Sequence, residues 1–196
     1  MIKFENTSIY CWEAAILGMR NPMNSWEYSD TTFTDAIFHH NELVGIGEKD
    51  LQLMKRLVRA GTDHSKFMRM ITVTVDITAP LYWWKEFDTY KVGTVRNSCS
   101  TMHKIHAKEF TIDDFSHEHL LQDEFDIYAP VNVLHTIIVA LNFHREQFKK
   151  TTEKKHWYQM IQLLPSSYNQ RATVQLNYQV LRNIYKSDRR HHKLDE

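Results

Sequence analysis

The spacing of apolar residues changes several times along the chain, and each change predicts a new element. Over EKDLQLMKRLVRA, Glu48–Ala60, the residues Leu51, Met54, Leu57 and Val58 recur three and four positions apart, which predicts an amphipathic helix. Gly61 follows where a C-terminal cap belongs. ITVTVDI then alternates Ile71, Val73, Val75 and Ile77 against Thr72, Thr74 and Asp76, the period-two, β-branched pattern of a strand with one buried face. Ala79 and Pro80 open the next element. Proline suits a first helical position because its missing N–H would have no intrahelical partner there, and Leu81, Trp84, Phe87 and Tyr90 or Lys91 continue at helical spacing.

That helix is expected to fail by Gly93. TVRNSCSTMHKI beyond it is short, polar and hydroxyl-rich and reads as a binding loop. HAKEFTIDDFSHEHLLQDEF is acidic and carries no clear period. Ala129 and Pro130 open a long helix reaching about Lys150, with Leu134, Ile137, Ile138, Leu141 and Phe148 on one face. HWYQMIQLL forms another helix that ends at Pro165. A last helix is expected from about Ala172 through NYQVLRNIYKSDRR to Lys186 or beyond, burying Leu181, Ile184 and Tyr185. Helix, strand, helix, loop and helices in that order predict an α+β fold. With no Gly/Ser or Pro-rich linker and no repeat, residues 1–196 are expected to form a single domain.

Charge narrows the classes of partner. Lys and Arg number 24 and Asp and Glu 24, so no global basic field favours a nucleic-acid polymer, and any anion site must be local. Cys11 and Cys99 are the only cysteines, which suits a reducing compartment and offers no disulfide framework or CxxC motif. MIKFENTSIYCWEAA is polar where a secretion signal is apolar, and VLHTIIVAL is about half the roughly 20 residues of a membrane span, so a cytoplasmic location without membrane association is expected.

Several residues are candidates for chemistry. Trp83, Trp84, Tyr82, Phe87 and Tyr90 could stack a flat ring such as a flavin or a base, or simply pack a core helix. Twelve histidines raise the question of a metal. His103 and His106 lie three apart, but there is no HExxH, and side chains of the adjacent pairs His39/His40 and His191/His192 diverge on regular structure, so no metal site is expected. GxxxxGK[ST], GxGxxG and GxSxG are absent as well. Lys186, Arg189, Arg190, His191, His192 and Lys193 either complement a helix C-terminus or contact a phosphate.

The order of helix, strand, AP pair, aromatic helix and hydroxyl-rich segment resembles the flavin-dependent thymidylate synthases, the ThyX family. LPSSYNQRATVQLNYQVLRN, Leu164–Asn183, is similar to that family's C-terminal helical segment, with its LP pair, Arg171, Asn177, Leu181 and Asn183. The resemblance implies a ThyX-like single domain with a central, mainly antiparallel sheet and flanking helices. It also implies FAD reduced by NADPH, methylene transfer from a folate to C5 of dUMP, and a homotetramer whose active sites are shared between subunits.

The family signature RHRxxSxxxxSxR is degenerate in this chain. By position its Arg, His and Arg fall on Thr89, Tyr90 and Lys91, its serines on Thr94 and Cys99, and its final Arg on Thr101. The family's nucleotide-contacting Arg lands on Asp188, one residue from Arg189. The resemblance thus implies cofactor contacts at Lys91, Thr94, Asn177 and Asn183, and substrate contacts at Arg96, Asn97, Cys99, Arg189 and Arg190. Thr in place of Arg removes a charge and a planar fork of donors. A divergent nucleotide-binding protein with reduced or altered catalysis is therefore expected, or else a non-catalytic nucleotide-binding or sequestering protein on the same scaffold.

Overall fold

The alternating run after Ile71 lies at the centre of the sheet. In the computed structural model, which describes residues 2–34 and 42–188, the chain runs β1 (Lys3–Tyr10), α1 (Trp12–Arg20), β2 (Thr32–Phe33), β3 (Leu43–Gly45), α2 (Glu48–Ala60), β4 (Thr72–Pro80), α3 (Leu81–Phe87), β5 (Thr94–Ser98), α4 (Pro130–Thr151), α5 (Lys154–Leu163), β6 (Asn169–Asn177) and α6 (Tyr178–Asn183). The fold is α+β. Its main sheet has four antiparallel strands in the order β1-β4-β6-β5, and β2 and β3 make a small hairpin.

Antiparallel pairing puts directly opposed residues on the same face, so the register sorts the side chains. Val73, Val75 and Ile77 of β4 oppose Leu176, Val174 and Ala172 of β6, and all six are buried. Each fully buried Val or Leu side chain contributes roughly 1.5–3 kcal/mol, which is why this alternation pins the register. Trp84 and Phe87 of α3 and Val180 of α6 cover this face. The opposite face is polar, with Thr74 and Asp76 against Gln175 and Thr173. In β1 one extra residue between Glu5 and Ser8 makes a bulge, with Asn6 at φ 51°.

Two further cores flank the sheet. α1 and α2 pack through Ile16, Met19 and Met54 onto Phe67 and Ile71. Beneath them Arg20 donates from Nε to Asp50 Oδ1 at 2.6 Å, with both side chains buried. The α4–α5 pair buries Leu134, Ile138, Leu141 and Met160 against Phe110 and Phe115. Asn142 holds the irregular segment before α4 by bonding both the N–H and the carbonyl of Phe110, at 2.9 and 2.8 Å. Among the described residues no helix is long and apolar enough to cross a membrane.

Three sequence expectations need correction. Ala172–Asn177 is strand, not helix: its alternating Ala172, Val174 and Leu176 pair with β4, and helix begins only at Tyr178. Thr94–Ser98 is an edge strand rather than loop, because its backbone pairs with β6 whatever its side chains. Leu181 and Tyr185, expected in the core, are 37% and 63% exposed because the last helix lies along a groove instead of under another layer. Helices α2, α3, α4 and α5, with Gly61 as the cap of α2 at φ 112°, match the sequence reading, which named no helix at α1.

Candidate functional site

α3 is too short to cover the whole apolar face of the sheet, and the uncovered part forms a groove of about 1200 Å³. Val73, Val75, Ile77 and Leu176 make its floor, Trp83, Phe87 and Tyr90 one wall, and α6 with its continuation, Leu181, Ile184 and Tyr185, the other. Ile184–Asp188 continue α6 as a π-helical turn, a widened geometry often found at functional sites. Arg182 also lines the groove, and its Nε is buried with no hydrogen-bond partner among the described residues. Glu86, Glu118 and His119 supply the polar rim.

The aromatic helix serves two roles. Trp84 and Phe87 are core, and the Trp84 Nε1 donates to the buried carbonyl of Gln170 at 3.0 Å. Trp83 stacks on Phe87, with centroids 5.1 Å apart and planes 17° apart, and together with Tyr90 it presents ring surface to the groove. Trp84 and Phe87 thus pack as a core helix does, while Trp83 and Tyr90 line the groove.

The residues implicated by resemblance divide between two ends and two faces of the sheet. Lys91 is exposed in the turn after α3. Thr94, opposite Leu176, shares the apolar face, and its Oγ1 is buried without a partner among the described residues. Asn177 caps α6 by accepting from the Val180 N–H at 3.1 Å. Asn183 accepts from Gln179 Nε2 at 2.9 Å.

Arg96 is internally engaged. Its Cζ lies 4.8 Å from the centre of the Trp84 ring, and its Nη1 is 3.2 Å from Asp88 Oδ1. That distance makes an ion pair, although the geometry misses a hydrogen bond and leaves Nη1 otherwise unpartnered. Asn97 stands opposite Thr173 on the polar face, and Cys99 lies just beyond β5, its N–H donating to the Arg171 carbonyl at 2.9 Å. Thr94 and Cys99 are five residue steps apart along extended chain, a span of roughly 17 Å. Arg189 and Arg190 lie outside the described residues.

On the polar face, near Cys99, stands a charged cluster that the sequence reading missed. Asp76 accepts from Thr173 Oγ1 at 2.6 Å, Asn6 Nδ2 at 2.9 Å and Arg171 Nη2 at 2.7 Å. Hydrogen bonds from Thr173, Asn6 and Arg171 hold its carboxyl well below the usual carboxylate range. Asp76 shows in the sequence only as the acid within an otherwise apolar and Thr strand; Arg182 gives no such signal, because it lies on a helix with many cations nearby.

His144 and His156 bring their Nδ1 atoms to 3.0 Å of each other. His103 Nδ1 lies 2.8 Å from Ser100 Oγ, while the His106 ring meets Phe148 edge-on at 5.0 Å. Among the described residues no three His, Cys, Asp or Glu side chains are grouped to hold a metal ion.

No protein-family model matches the sequence, and no curated protein matches it significantly. The fold does match solved structures. Thymidylate synthase X (ThyX) from Helicobacter pylori, solved with FAD and dUMP, superposes with a TM-score of 0.61 at 16% identity, covering 94% of this chain and 82% of that one. The UMP/dUMP methylase PolB from Streptomyces cacaoi bound with 5-Br dUMP gives 0.57 at 12% identity, over 94% and 75% of the two chains. Its complex with 5-Br UMP gives 0.53 at 14% identity, over 92% and 74%. At these identities the likeness establishes a ThyX-like fold.

Proposed function

We propose that this chain binds a deoxyuridylate-type nucleotide, with a flavin such as FAD beside it, and that thymidylate synthesis by it is weak or absent. The groove carries this reading: its aromatic and aliphatic surface suits a planar ring, and Arg182, a cation in its lining, suits an anionic oxygen. The likeness to proteins solved with dUMP, brominated uridylates and FAD supports the ligand class. Trp83 and Tyr90 would offer ring faces to a flavin, with Thr94, Lys91, Asn177 and Asn183 near the same end of the sheet. Bound there, a flavin supplies the two electrons that turn a transferred methylene into a methyl group.

Thr89, Tyr90, Cys99 and Thr101 weigh against efficient turnover, since they replace the charged and hydroxyl groups of the family signature. Each lost charge-assisted contact is worth about 1.5–3 kcal/mol, and two such losses slow a reaction by roughly two to four powers of ten. A misplacement of about 1 Å alone costs around 10²-fold. Arg96, the nearest replacement cation, is engaged by Trp84 and Asp88, which favours the alternative of a non-catalytic nucleotide-binding or sequestering protein. Because Cys99 and Asn97 sit across the sheet from the groove, a ligand touching both sets would draw on two copies of the chain. That supports a homo-oligomer, of which the family's tetramer is one form.

The test combines calorimetric titration with dUMP, the visible spectrum of the purified chain, and an anaerobic assay for dTMP with dUMP, methylene-folate, NADPH and FAD. Expected are dUMP binding, a flavin spectrum after loading with FAD, and little or no dTMP. Arg182→Ala should weaken dUMP binding roughly tenfold or more, the loss of one charge-assisted hydrogen bond. Binding that is absent, or indifferent to Arg182, overturns the site; turnover at an ordinary enzymatic rate overturns the assignment of weak catalysis.

A further inference from the structure

Two features outside the nucleotide groove are complementary to each other. The first is the loop LQDEFDIY, in which Leu121, Phe125, Ile127 and Tyr128 are 75%, 96%, 74% and 79% exposed. Its shape is fixed. The N–H groups of Phe125 and Tyr128 donate to Asp123 Oδ1 and Asp126 Oδ1 at 2.9 and 2.8 Å, and Asn132 Nδ2 donates to the carbonyls of Asp123 and Asp126 at 2.7 and 2.9 Å. The loop thus holds apolar side chains out in water, among the carboxylates of Asp123, Glu124 and Asp126 and without a cation. A preorganised exposed apolar patch of this kind marks an interaction surface.

The second is a groove of about 1100 Å³ beside α2. Lys49, Lys55, Arg56, Arg59 and Lys66 line it, all exposed, and none has a side-chain hydrogen bond or ion pair among the described residues. Asp63 is the one acid in its lining; Asp50 is buried against Arg20, while Glu48 and Asp30 stand at the N-terminus of α2, where they accept from Gln52 Nε2 and the Lys49 N–H. The floor between the cations is apolar, with Met19, Leu53, Leu57 and Phe67. On a chain whose charges sum to zero, an acidic, apolar-tipped loop and a basic, apolar-floored groove are thus segregated.

We infer that the Leu121–Tyr128 loop of one copy docks into the α2 groove of a second copy. The carboxylates meet the Lys and Arg side chains and set the register, while Phe125 and Tyr128 cover the apolar floor. Exchanged reciprocally about a twofold axis, two such contacts close a dimer. The contact shares no residue with the nucleotide groove and stands independently of that reading.

Sedimentation velocity on the full chain at low and high salt tests it. The parent is expected to associate, and to do so at least roughly tenfold more weakly at high salt, as screened charge pairs require. Lys55→Glu, Arg56→Glu and Arg59→Glu together make the groove lining net negative, and Asp123→Asn, Glu124→Lys and Asp126→Asn make the loop positive while keeping the side-chain oxygens that accept from Phe125 and Tyr128. Each set of changes should abolish most self-association, since like charges then face each other. Mixed one to one, the two variants should associate again, because each contact then joins opposite charges; this restoration also shows that both variants are folded. A monomeric parent, variants that associate like the parent, or a mixture that associates no better than its components overturns the inference. So does a labelled single-stranded oligonucleotide that binds the parent but not the groove variant while association stays unchanged.

Discussion

Gly93→Ala tests how α6 is held beside the candidate site. Gly93 has φ 80°, a left-handed conformation that costs an L-residue about 1–2 kcal/mol. A Cβ there would stand 2.7 Å from Asn177 Nδ2. The amide is the end of a short side chain, but it is not free to swing away, because its Oδ1 accepts the Val180 N–H at 3.1 Å and caps α6. Displacing it removes the cap, which typically contributes about 1 kcal/mol. The sum is about 2–3 kcal/mol, or a fall in Tm of about 4–12 °C for a chain of this size. Asn177→Ala alone should cost about 1 kcal/mol. The double variant should cost about 1 kcal/mol less than the two singles added, because the cap is lost only once and the clash disappears. Urea unfolding of the four proteins measures this cycle. Full additivity, or a Gly93→Ala effect below about 0.5 kcal/mol, would refute the coupling. Asn177→Asp, which keeps the capping oxygen, separates the helix-capping role of Asn177 from any contact with a flavin.

Asp50→Asn should destabilise the fold by about 3–5 kcal/mol in thermal or urea unfolding, because it leaves the buried Arg20 guanidinium without its counter-charge. Burial pushes the Asp50 carboxyl up, but hydrogen bonds from Thr31, Ser29 and Arg20 outweigh it and the net shift is downward. Its stabilisation is therefore complete above the ordinary carboxylate pKa, about 3.9, and lost as pH falls through the lower folded value. The parent should lose stability below about pH 4, and Asp50→Asn should lose less over the same range, the remaining acid limb coming from carboxyls such as Asp76 that are also held low. Trp84→Phe should cost about 1–3 kcal/mol, since it removes the donor to Gln170 and replaces the indole beneath Arg96 with a smaller ring that attracts the cation less; a variant as stable as the parent would show neither contact matters.

The strand at Thr72–Pro80 and helices α2, α3, α4 and α5 were legible because each buries one face, and burial writes its period into the sequence. β5 was not legible for the converse reason. Its inward residues Thr94, Arg96 and Ser98 are polar, while its one aliphatic residue, Val95, points outward and is 66% exposed. An edge strand with Arg96 lying under a tryptophan has no apolar alternation to read. At Ala172–Leu176 the period of two was present, yet the helical spacing of Leu181, Ile184 and Tyr185 just beyond it suggested one continuous helix. The candidate site was least legible of all: Arg182, the orphaned side chain of the groove, sits in a stretch where nothing in residue type distinguishes it from the cations at Lys186 and after.

The bulge in β1 constrains how this chain can be built into anything larger. β1 and β5 are the two edges of the sheet, and an edge of unpaired N–H and C=O groups invites another chain to continue the ladder. The extra residue between Glu5 and Ser8, with Asn6 turned to φ 51° and its amide drawn to Asp76 at 2.9 Å, breaks the regular repeat of donors and acceptors along that edge. Growth by strand addition, the route to fibres, is thereby blunted at β1. At that edge, copies of this chain are left to meet through side chains, where selection can tune a contact one residue at a time.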